Sequence, residues 1–600
     1  MTGSAERGAL DLGVIGNCMV AALVDQQASI VWYCLPRPDG DPVFHALLGA
    51  PNDEPHVGAF ALEMPDLAAS RQSYDTNTAI LRTVLEGVSG TVEVTDFAPR
   101  FEAHGRIFRP QTLVRRIVPV SGWPRLRLRL KPRFGWGKRA PVVTHGSNHI
   151  RFADDTMTVR ATTNAAIDDI VAQRLINIDR PLYVVLGPDE TLSDDPEVLG
   201  EEWLRRTQAY WRGWTHRLAL PFEWQDAVIR SAITLKLCAY EPTGGIMAAL
   251  TTSIPEAPGT ERNWDYRYCW VRDAFFTVRA LNSLSAVRTL EHYFRWLMNL
   301  VSDAGGTHLQ PVYGVGGEAV LTERVVDTLQ GYRGMGPVRV GNQAHEHFQH
   351  DTYGAIILGA APAFFDRRLM MTAGAEAFRR LEVLGEQAWA LHETPDAGIW
   401  ELRTRARVHT SSAVMCWAAC DRLAKIASHL ALHDRAVFWS ARAAAIRGII
   451  LERAWSEKRG AFVESFGGTT LDASVLLMAE VGFVEPGDPR FAATVDRLSE
   501  VLGHGPFMKR YEEADDFGAP ETGFNICAFW RLDALARIGR RDEAREIFEA
   551  LLAARTSLGL MAEDTDIVTG EPWGNFPQTY SMVGIVNGAK RLSAEWEAVL

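Results

Sequence analysis

Arg125-Leu126-Arg127-Leu128-Arg129-Leu130-Lys131 alternates basic and apolar side chains without a break. A strand sends successive side chains to opposite faces, so Leu126, Leu128 and Leu130 share one face and the Arg residues face water. Working outward, the same period-2 pattern recurs in Ala28-Ser-Ile-Val-Trp-Tyr33, Thr91-Val-Glu-Val-Thr-Asp-Phe97, Ile150-Arg-Phe152 and Leu182-Tyr-Val-Val-Leu186. Short alternating runs separated by turn residues predict an antiparallel β-sandwich over residues 1–195. Past residue 200 the period changes to 3.6. Residues 541–554 place Ala544, Ile547, Phe548 and Leu551 on one helical face. A helical linker is expected over 196–222, and about twelve helices over 223–600, at 223–241, 271–285, 287–303, 350–363, 369–389, 411–430, 433–456, 471–481, 489–502, 523–539, 541–554 and 578–593. Five long aromatic and Gly-rich connections, 242–270, 304–349, 390–410, 503–522 and 555–577, interrupt them. Long connections of this kind are usually functional, and their regular spacing predicts one end of a closed helical barrel that carries a site.

Composition excludes several classes. The chain has 600 residues, 47% hydrophobic and 23% charged, which is ordinary for a globular protein. Its net charge of −12, uninterrupted by a basic block, argues against an electrostatic nucleic-acid binder. No run of apolar residues is long enough to span a membrane. The N-terminus MTGSAERGALDLG shows no secretory leader, and seven scattered cysteines without a CxxC pair fit free thiols in the cytoplasm. The 18 Trp stand out, because an excess of Trp suggests aromatic platforms in the core or around a ligand.

The densest aromatic-polar segment is Arg262-Asn-Trp-Asp-Tyr-Arg-Tyr-Cys-Trp-Val-Arg-Asp273, with four large aromatics, three Arg and two Asp in twelve residues. Full exposure wastes the aromatics, and full burial demands partners for every charge. A half-buried pocket satisfies both, and sugars suit it. Their apolar ring faces stack on aromatics while their hydroxyls meet carboxylates and Arg forks. The competing reading is a buried Arg–Asp pair at the start of helix 271–285.

At this segment the chain resembles glycoside hydrolase family 15, the glucoamylase-like and bacterial trehalase-like enzymes. Asp265, Tyr268, Trp270, Arg272 and Asp273 fill the family's block at the entrance of its second barrel helix. Further matches are Ile15-Gly-Asn-Cys18, Ile30-Val-Trp-Tyr-Cys-Leu-Pro-Arg37, Gly331-Tyr-Arg-Gly334, Pro337-Val-Arg-Val-Gly-Asn342, Asp351-Thr-Tyr-Gly354, Gly398-Ile-Trp-Glu401, Cys527-Ala-Phe-Trp530 and Gly574-Asn-Phe-Pro-Gln578. The resemblance implies an N-terminal antiparallel β-sandwich followed by an (α/α)6 barrel catalytic domain, in agreement with the change of period.

It also implies chemistry by two carboxylates. In the inverting reaction one carboxylic acid protonates the leaving oxygen, and an ionised carboxylate activates water on the opposite face of the ring. Glu401 matches the family's general acid, with Trp400 as an apolar wall that favours the protonated form. Glu563 matches the general base. Arg272 and Asp273 resemble the pair that holds hydroxyls of the terminal glucose. Tyr266 and Trp270 resemble the aromatics beside base and sugar ring, and Tyr268 joins them as a binding residue. No metal or organic cofactor is implied.

The expected activity is that of an inverting exo-acting α-glucosidase of glucoamylase type on an oligosaccharide or disaccharide. The alternative in the same family is an α,α-trehalase. Rivals of other classes are a phosphate-dependent disaccharide phosphorylase, which needs no base carboxylate, and a carbohydrate sensor without catalysis. Ala562, Asp564, Ala355 and Ala413 depart from common family residues and leave the linkage open. His345-Glu-His-Phe-Gln-His350 is not HExxH and reads as polar lining of the barrel mouth, and Gly314-Val-Gly-Gly-Glu-Ala319 reads as a loop.

Overall fold

The computed structural model describes residues 10–49, 56–304, 308–370 and 372–599. The segment on which the expectation of no leader rests lies mostly outside them. Two antiparallel sheets face each other in the N-terminal part. One runs from Gly13–Gly16 through Ala21–Val24, Ile30–Leu35 and Ala59–Glu63 to Arg125–Lys131 and Ile176–Asn177. The other has Leu67–Tyr74 at one edge and Val142–His145 at the opposite edge. All five alternating runs fall on strands. Leu126 and Leu128 are fully buried in the core between the sheets with Phe60, Val92 and Leu182. Each such side chain contributes about 1.5–3 kcal/mol through burial. The Arg residues differ from expectation. Arg127 and Arg129 do not simply face water but converge on Glu63 of the neighbouring strand, where register sets Arg127 opposite Glu63. Cross-strand pairing of opposite charge explains it.

Helix α1 (Pro196–Thr215) crosses from sandwich to barrel, started by Asp195, whose side chain accepts from Glu197 N. The barrel helices are α2 (Gln225–Cys238), α3 (Val271–Ser283), α4 (Val287–Ala304), α5 (Asp351–Ala360), α6 (Ala375–Leu391), α7 (Thr410–His429), α8 (His433–Arg453), α9 (Leu477–Glu480), α10 (Pro489–Leu502), α11 (Asn525–Arg537), α12 (Arg541–Ala553) and α13 (Thr579–Leu592). Inner helices pack in a ring: α3 on α5, α5 on α7, α7 on the turn Ala473–Leu476 that leads into α9, that segment on α11, α11 on α13, and α13 back on α3. Inner helices such as α5 are buried along their whole length. Outer helices such as α12 bury one stripe, and there the buried residues are the four read from the sequence, Ala544, Ile547, Phe548 and Leu551.

Most helices fall within about three residues of their expected limits, and two depart further. The run 369–389 becomes helical only at Ala375, after Gly374. The run 471–481 is a 3-10 turn with one helical turn, because Asp472 caps Ser474 N at its start and Gly482, at φ 80°, ends it.

Sandwich and barrel share a polar seam. Trp32 Nε1 donates to Leu250 O at 2.8 Å, and Arg267 reaches Gly40 O beneath the rings of Trp32 and Trp136.

Candidate active site

The five long connections gather over one end of the barrel. Four of them line a cavity, together with residues of α3, α11 and α13. The fifth, 555–577, folds back as the pair Asp564–Thr565 and Pro572–Trp573 beside Gly523–Phe524. It brings Glu563 against the cavity's inner side.

The segment 262–273 splits in function. Asp265 and Arg267, both fully buried, form a bidentate pair at 2.9 and 2.7 Å. They are a buried Arg–Asp pair but not the one of the competing reading, since they precede the strand Cys269–Trp270 and no side chain caps α3. Tyr266, Tyr268 and Trp270 alternate with them and cluster on the other face. Trp270 Nε1 donates to Glu401 Oε1 at 2.5 Å, and its ring meets Tyr266 edge to face at 5.2 Å. Arg272 opens α3. Its Nη1 lies 3.0 Å from both Asp351 Oδ2 and Gln349 Oε1, and its Nη2 lies 3.7 Å from Glu401 Oε1. Asp273 is buried beside it, and burial together with Glu401 and Asp351 pushes its carboxyl up to about 6 against the pull of Arg272.

Glu401 sits on a tight turn. Gly398 has φ 68° and Glu401 itself φ 62°, a conformation that costs a bulky residue about 1–3 kcal/mol and is held by its surroundings. Those surroundings are a buried polar layer. Asp396 accepts from His350 N at 2.7 Å and Ser412 Oγ at 2.8 Å, and His409, packed under Gly398, pairs with Glu464 at 2.8 Å. Trp400 is fixed by donating to Asp472 Oδ2 at 2.7 Å, and it packs on Phe524 and Trp530.

Glu563 is fully buried. Oε2 accepts from Asn575 N at 3.3 Å, while Oε1 makes no hydrogen bond of standard geometry to a described residue. Burial, Glu256 and Asp564 drive its carboxyl well above the usual range, and Arg510 and the neighbouring Tyr266 hydroxyl pull it back. The Tyr266 phenol is raised in turn by burial and by Glu563. Two glutamates 162 residues apart therefore flank one aromatic pair, Trp270 on the Glu401 side and Tyr266 on the Glu563 side.

Of the eight residues singled out in the sequence, Tyr266, Trp270, Arg272, Asp273, Trp400 and Glu401 line the cavity. Glu563 stands directly behind Tyr266. Tyr268 lies one layer back, where its hydroxyl accepts from Gly341 N at 3.1 Å. His347 from the His-rich run also lines the cavity. Sequence reasoning missed Glu256, which takes Trp264 Nε1 at 2.9 Å and both terminal nitrogens of Arg510. It also missed Arg262 on Asp515, at 2.8 and 2.5 Å, and Arg403 at the mouth. These pairs join connections up to 254 residues apart, so no local spacing signals them.

Comparisons with known proteins give the family and the fold. The sequence profile described as Glycosyl hydrolases family 15 matches residues 224–590, and the one described as Trehalase-like, N-terminal matches residues 2–167. The chain is 32% identical to a trehalase of Mycolicibacterium smegmatis, over 98% of this chain and 92% of that protein. It is 29% identical to a trehalase of Thermoplasma volcanium, over 97% and 93%. In fold it is similar to a bacterial glucoamylase crystallised with acarbose, with a TM-score of 0.68 and 13% identity over 99% of this chain and 96% of that one. The chain belongs to glycosyl hydrolases family 15: it is a glycoside hydrolase, built as an antiparallel β-sandwich followed by an (α/α)6 barrel.

Proposed function

We propose that the chain is an inverting α,α-trehalase, with Glu401 as general acid and Glu563 as general base. The observation that carries the chemistry is the pair of carboxylates bracketing Trp270 and Tyr266, with Glu401 lining the cavity and Glu563 behind Tyr266. The curated relatives named trehalase, alike over nearly the whole chain, favour trehalose over the malto-oligosaccharides of the glucoamylase-type reading. One glucose occupies the inner end against Arg272 and Asp273, with Trp270 and Trp400 at its ring. Glu401 gives its proton to the bridging oxygen as the C1–O bond breaks. Glu563 takes a proton from the water that attacks C1 from the opposite face. The step is then charge-balanced, and before the next turnover Glu563 gives up the proton it gained and Glu401 takes one back, each keeping its role. The raised proton affinity of Glu563 makes it a stronger base once ionised. Asp564, where the family often has Glu, stays next to it with Oδ1 accepting from Thr522 Oγ1 at 2.8 Å.

The same proposal takes 1–195 as sandwich, 196–222 as linker and 223–600 as catalytic barrel. It places the enzyme in the cytoplasm, where its seven buried free thiols stay reduced.

The deciding experiment is purified protein with trehalose, maltose and isomaltose, the products followed by proton NMR before mutarotation. Inverting cleavage of trehalose yields one α- and one β-glucose per turnover. Two α-glucoses reject single displacement, and faster cleavage of maltose than of trehalose returns the activity to the glucoamylase type.

A further inference from the structure

We propose that Arg403 is a specificity-determining residue that straps the mouth of the pocket shut behind a second sugar ring. The site then accepts a disaccharide and rejects a leaving group one residue longer. This rests on the reading of the cavity as a glycosidase site.

The two ends of the cavity differ. The inner end, at Arg272, Asp273 and Tyr580, is buried, whereas the outer end, at Arg403, Asp516 and Phe517, is half-buried to exposed. Substrate therefore enters past Arg403. That residue follows Glu401 by two positions and is tied to two other connections at once. Its backbone N–H donates to Asp516 Oδ2 at 2.6 Å, and the Thr404 hydroxyl bonds the other oxygen of the same carboxylate. Its guanidinium forks onto Glu323, with Nη2 at 3.0 Å and Nη1 at 3.3 Å. Its face lies over Trp264 at 4.7 Å and near Phe517 at 5.5 Å. Both ends of the strap are anchored in turn. Arg339 Nη1 holds Glu323 Oε1 at 3.2 Å, and Arg262 clamps Asp515, the neighbour of Asp516.

A single residue, through its backbone and its guanidinium, thus joins connections 304–349, 390–410 and 503–522 across an aromatic floor of Trp264 and Phe517. A planar fork held by a carboxylate and two rings loses little further freedom when substrate arrives, so it forms a preorganised wall. A glucose ring at the inner end and a second stacked on Trp264 leave Arg403 where a third ring must pass. The strap also begins at the turn that carries Glu401, so size selection and placement of the acid are built on one segment.

The probe is trehalose carrying one extra α-1,4-linked glucose, compared with trehalose itself, on wild type, Arg403→Ser and Glu323→Gln. Folding of each variant is verified by circular dichroism and thermal unfolding. The readout is the ratio of kcat/KM for trisaccharide over disaccharide, which cancels a general loss of activity. The wild-type ratio is expected to be small and to rise by about tenfold or more in both folded variants. A wild type that cleaves both sugars equally overturns the strap, as does a ratio that stays within about twofold in the variants. If trehalose is inert and maltose is cleaved, the substrate reading fails separately, and the strap is judged by the same ratio of maltotriose over maltose.

Discussion

The indole N–H of Trp270 donates to Oε1 of Glu401 over 2.5 Å. The Trp270 ring lies 5.2 Å from Tyr266, whose hydroxyl stands against Glu563. Residues four apart on one segment therefore touch the two glutamates that the chain brings in from far downstream. Only Cys269–Trp270 of that segment is strand, and the chain bends at Tyr268, so this one bent conformation brings the two rings together and sets the spacing of acid and base.

That relationship gives the first prediction. Trp270→Phe keeps the ring and removes the donor. As Glu401 gives up its proton this bond comes to hold a charged carboxylate, and such a bond contributes about 1.5–3 kcal/mol, so kcat is expected to fall by about 10- to 150-fold with the fold intact. Glu401→Gln, which removes the acid itself, is expected to cost several orders of magnitude more. Steady-state kinetics on trehalose check both, and near-wild-type turnover in Glu401→Gln would falsify its role.

The pH profile carries the second. Glu563 is raised by burial, Glu256 and Asp564 and lowered by Arg510 and Tyr266. A base must be ionised, so kcat/KM falls as pH drops through its folded-state value, and the acidic limb lies above the usual glutamate range. Glu256→Gln removes a negative neighbour and moves that limb to lower pH. Arg510→Gln removes the cation and moves it to higher pH. Opposite shifts in the two profiles are expected, and an unmoved limb in both detaches the limb from Glu563.

Much of this was legible in the sequence because it depends on local periodicity. Leu126 and Leu128 alternate into the sandwich core, and Ala544, Ile547, Phe548 and Leu551 repeat at 3.6 onto the barrel, since each pattern needs only the neighbouring residues. The aromatic block 262–273 announced a half-buried site for the same reason. What did not show was pairing across long loops. Glu256 meets Arg510, and Arg403 meets Glu323, only because the barrel closes. Tyr268 illustrates the converse: its place in the motif is as regular as that of Tyr266, yet its hydroxyl goes to Gly341 N and not to the cavity.

A third prediction concerns stability. Asp265 and Arg267 are both fully buried, and Arg267 also bonds Gly40 O in the sandwich. Removing one partner strands the other charge, which costs about 3–5 kcal/mol. Asp265→Asn is expected to lower the denaturation midpoint of the barrel, followed by tryptophan fluorescence in urea. A midpoint within error of wild type would mean that Arg267 finds a substitute partner.

The last prediction isolates the placement of Glu563. Gly574 has φ 74°, and a Cβ there would lie 2.6 Å from Glu563 Cβ and 2.7 Å from Oε2. Alanine at this position therefore pushes the carboxylate off its hydrogen bond to Asn575 N. A displacement of about 1 Å in a reacting group can cost about 100-fold in rate. Gly570 supplies the control, because its φ is 76° but a Cβ there meets nothing within 4 Å. Both alanine variants carry the same left-handed strain, of about 1–3 kcal/mol, so both are expected to lose similar stability. Only Gly574→Ala is expected to lose kcat, by about 100-fold, with little change in KM. Equal losses of kcat in the two variants would assign the effect to backbone strain and leave the position of Glu563 without consequence for the reaction.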